Sequence, residues 1–266
     1  MPRAVSTGTM FPKPKEVSLR AGERLLLLAH PRSGSSNLYE ILQMHPALKI
    51  CMEPFNENFV RWAPGNKDYR ERVHDWASLE AVLDEIFTEF NGLKLLSYQL
   101  PEEWIGRLIG RPDFRVLFVR RLNVLQAVVS VLIAEQTGLW HRWDMDRPLG
   151  TYYAELRPLD IAEVRARVQE LAQHLQRLET VIERRTDRRT HTIVYEELFF
   201  AEPKEQSRVI QALWPFLELD PITSDRIGYF LRPERSKLNS PATYRLLPNA
   251  EEIEDECGHD ATGHLF

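Results

Sequence analysis

Residues 24–30, Arg-Leu-Leu-Leu-Leu-Ala-His, form a continuous apolar run that ends at Pro31 and leads into a loop containing Gly34. A short apolar run without polar alternation is buried on both faces, as in a strand of a parallel sheet covered by helices on each side. Leu38, Ile41 and Leu42 then step at helical spacing over residues 37–44, so the chain opens as strand, glycine loop, helix. Similar units recur. Residues 48–52, 92–98, 114–119 and 191–195 read as further strands, with helical stretches over 69–90 and 124–136. This alternation predicts an α/β fold with a central parallel sheet of about five strands flanked by helices. The 124–136 helix is apolar nearly all round, which predicts deep burial.

One long helix separates the fourth and fifth strands. Asp160 and Glu163 make an approximate capping box at its start, and Ile161, Val164, Val168, Leu171, Leu175, Leu178 and Ile182 step by three and four. Such a stripe could be a coiled-coil seam in a homodimer; its shortness and the need to cover a sheet favour packing within the domain. No interior linker stands out, so residues 1–22 are read as a lead-in and 23–266 as a single domain. Residues 232–248 are expected to form a surface excursion and 250–256 a short acidic helix. Cys257, His259 and His264 match no established metal spacing and are expected on a mobile tail. Arg184, Arg185, Arg188 and Arg189 read as a helix end followed by a solvated turn.

Composition narrows the partners. The chain has 34 basic and 39 acidic residues among its 266, a net charge of −5, which argues against extended polyanions and membrane surfaces. Two cysteines cannot build a disulfide framework, and neither a secretory signal nor a membrane-spanning run is visible, so the expected location is the cytoplasm. Any anionic partner must therefore be met by a local cluster.

Residues 30–37, His-Pro-Arg-Ser-Gly-Ser-Ser-Asn, supply such a cluster at the carboxyl end of a strand, where open parallel sheets bind ligands. Gly34 lets successive amides turn inward, the helix start adds partial positive charge, and Arg32, Ser33, Ser35 and Ser36 add donors. The pattern suits a phosphate or sulfate, although an ordinary capped turn has similar composition. A nucleoside-triphosphate loop would carry a second glycine and a lysine, and a magnesium site would end a neighbouring strand in aspartate. Here the 116–119 strand ends in Arg120-Arg121, so two anion sites without a metal site describe the edge better.

These residues resemble those of sulfotransferases that use 3′-phosphoadenosine 5′-phosphosulfate (PAPS). Residues 31–37 are similar to the family's 5′-phosphosulfate loop, and residues 121–130, from Arg121 to Ser130, to its 3′-phosphate motif. Residues 134–141 and 52–57 are similar to segments of the bacterial carbohydrate branch (Nod-factor and trehalose types), and 194–198 to the family's late strand. These matches run in family order over residues 24–200. Arg32 stands where cytosolic members have lysine, the late glycine-lysine loop has no counterpart, and the Arg121–Ser130 spacing is one residue longer.

The resemblance implies a three-layer P-loop-like fold and metal-free, in-line sulfuryl transfer from PAPS to a hydroxyl of a small acceptor, a carbohydrate in this branch. It implies that Arg32, Ser33, Gly34, Ser35, Ser36 and Asn37 hold the 5′-phosphosulfate, with Arg32 also stabilising the leaving group. Arg121 and Ser130 hold the 3′-phosphate, and Glu53 is the base. Glu57 and His141 are the other base candidates, Ser236 and Lys237 are candidate contributors beyond residue 200, where no nucleotide contact is otherwise placed, and Trp140 and Trp143 are candidates to stack on a flat acceptor. His30 reads as a structural residue. A small-molecule kinase and a non-catalytic nucleotide-binding or assembly protein are the alternatives.

Overall fold

The computed structural model describes residue 19 and residues 22–56, 68–141, 145–232, 238 and 241–266. Its centre is a five-stranded sheet in the order β2-β3-β1-β4-β5, parallel throughout. The strands are β1 Arg24–Ala29, β2 Ile50–Met52, β3 Gly92–Leu96, β4 Phe114–Arg120 and β5 Thr190–Val194. Their connections carry α1 Ser35–Leu42, α2 Trp76–Glu89, α3 Glu102–Ile109, α4 Val124–Thr137, α5 Leu149–Tyr153 and α6 Ile161–Glu183. After β5 come α7 Tyr195–Phe199, α8 Pro203–Leu217, α9 Asp225–Leu231, α10 Pro241–Tyr244 and α11 Ala250–Cys257.

The leucine run forms the middle strand because it can be buried on both sides. Leu26 and Leu28 pack into the layer built by α2, α3, α4, α6 and α11, whereas Leu25, Leu27 and Ala29 pack towards α1, α8 and α9. Strand β4 repeats the division, with Val116 and Phe118 on the first side and Leu117 and Val119 on the second. Its one inward charge, Arg115, is held by Glu23, Glu218 and the Phe216 carbonyl. Helix α4 is buried nearly all round, as its composition predicts. The α6 stripe packs inside the molecule through Val164, Val168, Leu175, Leu178 and Ile182, next to α3, α4 and α11.

Several boundaries and surfaces differ from expectation. The 69–90 helix begins at Trp76, because Asp75 and Ser78 close a reciprocal capping box there. At α6 the box is half formed: Asp160 accepts from the amides of Ala162 and Glu163, while the Glu163 carboxylate pairs with Arg167. The last strand stops at Val194, and Tyr195 already opens α7. Arg185 is not solvated; its guanidinium donates to the carbonyls of Ile109 and Phe114. The 232–248 stretch is not wholly a surface excursion, since Tyr244 and Leu247 are buried. Nor is the tail loose: Leu265 is fully buried, and Asn123 and Gln126 both donate to the His264 carbonyl. No group of metal-ligating side chains occurs among the described residues, and no helix there is long and apolar enough to cross a membrane.

Because the α6 stripe is spent on this core, Leu178→Ala is expected to lower the free energy of unfolding by about 2–5 kcal/mol in urea titrations. The sedimentation coefficient of the folded protein should not change; dissociation of a dimer by this substitution would place the stripe at a subunit contact instead.

Candidate functional site

Two adjacent strands of the sheet send their chains in opposite directions. From β1 the chain crosses towards β2, and from β4 it crosses towards β5, which opens a crevice at their carboxyl ends. The 30–34 loop and Arg121 lie at this crevice. In the loop the Ser33 hydroxyl donates to the His30 carbonyl at 2.8 Å, and Gly34 caps α1 in the left-handed region, with φ of 78°. A Cβ on Gly34 would sit 2.4 Å from the Phe199 ring, so close packing as well as the backbone angle requires glycine. Among the described residues no side chain caps α1, so the positive end of this helix faces the crevice unneutralised. Arg32 has φ of 63°, uncommon for a residue with a side chain. Asn37 donates to the Phe230 carbonyl at 3.0 Å.

Two arginines close on the same place. Arg121, 4% exposed, donates to the Arg32 carbonyl at 2.9 Å and to Gln126 Oε1 at 2.7 Å, and its guanidinium lies 4.5 Å over the Tyr195 ring. Its Nε is buried without a hydrogen-bond partner. Arg32 donates from Nε to the buried Ser130 hydroxyl at 2.8 Å and from Nη1 to the Trp140 carbonyl at 2.6 Å. The longer Arg121–Ser130 spacing thus still brings Ser130 to the loop. Arg120 turns the other way, 2.6 Å from Glu179. The start of α4 is fastened by the Glu196 carboxylate, which accepts from the amides of Leu122 at 3.0 Å and Asn123 at 3.1 Å.

Glu53 stands at the end of β2 with φ of 47°. It is 3% exposed; Oε1 pairs with Lys94 Nζ, and Oε2 accepts from Asn56 at 2.7 Å and Gln99 at 3.3 Å. Lys94, on β3 and fully buried, also donates to the Ser36 hydroxyl at 3.1 Å. A continuous set of contacts therefore runs from Glu53 through Lys94 and the loop to Arg32, Ser130 and Arg121. Lys94, Gln126 and Glu196 were missed as individual site residues. Lys94 was visible as a lone lysine inside the apolar 92–96 strand. His141 is partly exposed and follows Trp140, the residue held by Arg32. Glu57, Trp143, Ser236 and Lys237 lie outside the described residues.

His30 ends β1 fully buried, with Nδ1 2.7 Å from the Pro31 carbonyl and no partner for Nε2. Burial, and then the neighbouring Arg121 charge, push its imidazole down to about 3. Tyr195 is pushed up to about 12 by burial, against the opposing pull of Arg121. Both rings are therefore neutral near pH 7, and the positive charge here is carried by the arginines.

No protein-family model and no curated protein sequence matches the chain. Solved structures do. Sulfotransferase STF9 from Mycobacterium avium superposes with a TM-score of 0.50 at 15% identity, over 91% of this chain and 78% of that one. Mouse sulfotransferase SULT7A1, complexed with PAP, aligns with a TM-score of 0.45 at 14% identity over 79% of this chain; the chain spans 63% of the mouse protein's length. The sulfotransferase domain of the Synechococcus PCC 7002 olefin synthase aligns with a TM-score of 0.39 at 15% identity, over 87% of this chain and 92% of that domain. The STF9 likeness shows the fold: a parallel five-stranded sheet between helical layers, of the P-loop-like kind found in sulfotransferases.

Gly34→Ala is expected to destabilise the protein by about 1–3 kcal/mol in chemical unfolding; wild-type stability would mean that Phe199 yields freely. Acid provides a second test. Unfolded His30 takes up a proton below about 6.5, whereas folded His30 stays neutral until about 3. Its contribution to stability is complete above pH 6.5 and is lost as pH falls towards 3, by about 1.4 kcal/mol per pH unit. The wild type should therefore lose stability faster than His30→Gln across that window, and parallel curves would contradict the burial of an uncharged imidazole.

Proposed function

We propose that this chain is a sulfotransferase that moves the sulfuryl group of PAPS to a hydroxyl of a small acceptor, a carbohydrate, by metal-free in-line transfer. The observation that carries this reading is the convergence of Arg32, Arg121, Ser130 and the uncapped start of α1 at one crevice, with Arg120-Arg121 where a magnesium site needs a carboxylate. The buried Arg121 Nε, with no hydrogen-bond partner, fits a further oxygen acceptor there.

When bound, PAPS supplies an activated sulfuryl group and departs as adenosine 3′,5′-bisphosphate. The chain's own residues have separable tasks. Arg121 and Ser130 hold the 3′-phosphate; the guanidinium is already aimed by Gln126, Tyr195 and the Arg32 carbonyl, so little is spent on ordering it. Arg32, the 33–36 loop and the positive end of α1 stabilise charge developing on the leaving phosphate oxygen. Glu53 accepts the acceptor's proton on a carboxylate oxygen. Its backbone strain supports a functional role, since a non-glycine residue is held at positive φ only where the surroundings enforce it. The Trp140 carbonyl is held by Arg32, and Trp140 with the adjacent His141 is the proposed acceptor side, where an aromatic residue suits a sugar face.

Incubation with PAPS and a mixture of glycans and small metabolites is expected to add one sulfo group to a carbohydrate, detected by mass; transfer to no compound overturns the reading. Arg121→Ala should weaken adenosine 3′,5′-bisphosphate about 10- to 100-fold while leaving adenosine 5′-phosphosulfate unchanged. Equal weakening of both nucleotides contradicts the 3′-phosphate role. Glu53→Ala should lower kcat about 100-fold or more, and retained turnover removes Glu53 from the base position.

A further inference from the structure

The buried Lys94 side chain has a place in the fold that Arg32, Arg121 and Ser130 do not share. It projects from the third residue of β3, opposite Met52 in the β2–β3 register, and is fully shielded from water. It grips Glu53 at two points. The Lys94 carbonyl accepts from the Glu53 amide at 3.0 Å, prolonging the strand pairing by one step, and Nζ pairs with carboxylate Oε1. From the same Nζ a third contact reaches the Ser36 hydroxyl in the first turn of α1, at 3.1 Å. Lysine is almost never fully buried unless paired, and here both of its partners belong to the candidate site.

We propose that Lys94 is the positioning residue of the reaction: it fixes the Glu53 carboxylate relative to the 33–36 loop and supplies the counter-charge paired with it in the interior. This proposal rests on the sulfuryl-transfer reading and names the group that makes its base usable. Three features of the contact set lead to it. Glu53 has φ of 47°, a strained backbone that persists only where its surroundings hold it, and the Lys94 carbonyl and ammonium are two of those holds. Oε1 is held by the ammonium, while Oε2 is held by the neutral amides of Asn56 and Gln99, so that among the described residues the ammonium is the charge paired with the carboxylate. Arg70, a cation of the same region, donates to the Phe55 and Gln99 carbonyls at 3.4 Å. Finally, the Ser36 contact ties this pair to the element that meets the donor, so one ammonium joins the acceptor side of the site to the donor side.

A double-mutant cycle on the full chain tests this, read in turnover, in nucleotide affinity and in unfolding. Lys94→Met is expected to lower kcat about 100-fold, as a misplaced base does, while the Kd for adenosine 3′,5′-bisphosphate stays within about twofold of wild type. Glu53→Gln combined with Lys94→Met should turn over no more slowly than Glu53→Gln alone, because the lysine acts only through the carboxylate. That comparison decides the matter even where Lys94→Met alone folds poorly. The double variant should also be more stable than Lys94→Met, since no lone carboxylate is left buried in it. A further loss of turnover in the double variant, or a weakened nucleotide with kcat unchanged, overturns the positioning role and assigns Lys94 to the donor. Wild-type protein that transfers no sulfo group overturns the function itself, and the unfolding cycle then reports on the buried pair separately.

Discussion

Parallel pairing of β1 with β3 on one side and β4 on the other is the constraint on which the site depends. Those ladders place Ala29 beside Leu96 and beside Val119, so that three strands finish at one level. The β2–β3 register adds Met52 beside Lys94 and brings Glu53 to the same edge. Residues separated by 98 positions then meet without a long loop to carry them, as Arg32 and Ser130 do. The leucine run makes this possible because β1, buried on both faces, can be flanked by strands and covered by helices at once. A polar residue in its middle would expose the sheet and scatter the strand ends.

The edge concentrates features that a purely structural sheet would avoid. Arg32 and Glu53 hold positive φ, His30 and Arg121 carry buried nitrogens without partners, and Lys94 and Glu53 form an ion pair in the interior. Each is unfavourable for folding, and four of the five residues stand at strand ends or in the loops that follow, while Lys94 lies two residues before the end of β3. Folding free energy is evidently spent elsewhere to hold them: on the α6 stripe, the α4 core and the polar clamp from Glu196 to the start of α4. This distribution separates the crevice from the surface hollow of about 390 Å³ beside Leu132, Pro158 and Glu163, which has none of these features.

Much of the fold was legible because its strands are short apolar runs and its helices have strong stripes. Residues 24–29 and 114–120 could hardly be anything but buried strands, and the alternation with helices implied parallel pairing. Helix α8 was overlooked although Val209, Ile210, Leu213, Trp214 and Leu217 have helical spacing; its start is marked only by Pro203 and not by a capping side chain. The loop and Arg121 drew attention as glycine, serine and arginine at the strand ends of a parallel sheet, although an ordinary capped turn has similar composition; that Arg121 reaches the Arg32 carbonyl needed the strand order. Lys94 carries a local signal, a lone lysine in an apolar strand, but its partners Glu53 and Ser36 follow only from the strand order. The tail was misjudged for a similar reason: the fit of Gly263 against Asn123 is a tertiary contact with no local signal.

A compact cluster of cations and backbone amides within an acidic chain is suited to a small, doubly anchored anion and not to an extended one. Calorimetric titration with adenosine 3′,5′-bisphosphate in the presence of EDTA tests that directly. A site built from Arg32, Arg121, Ser130 and the α1 start predicts binding at micromolar concentration or tighter without magnesium, and clearly weaker binding of adenosine 5′-monophosphate. Preferential binding of magnesium-ATP would contradict it.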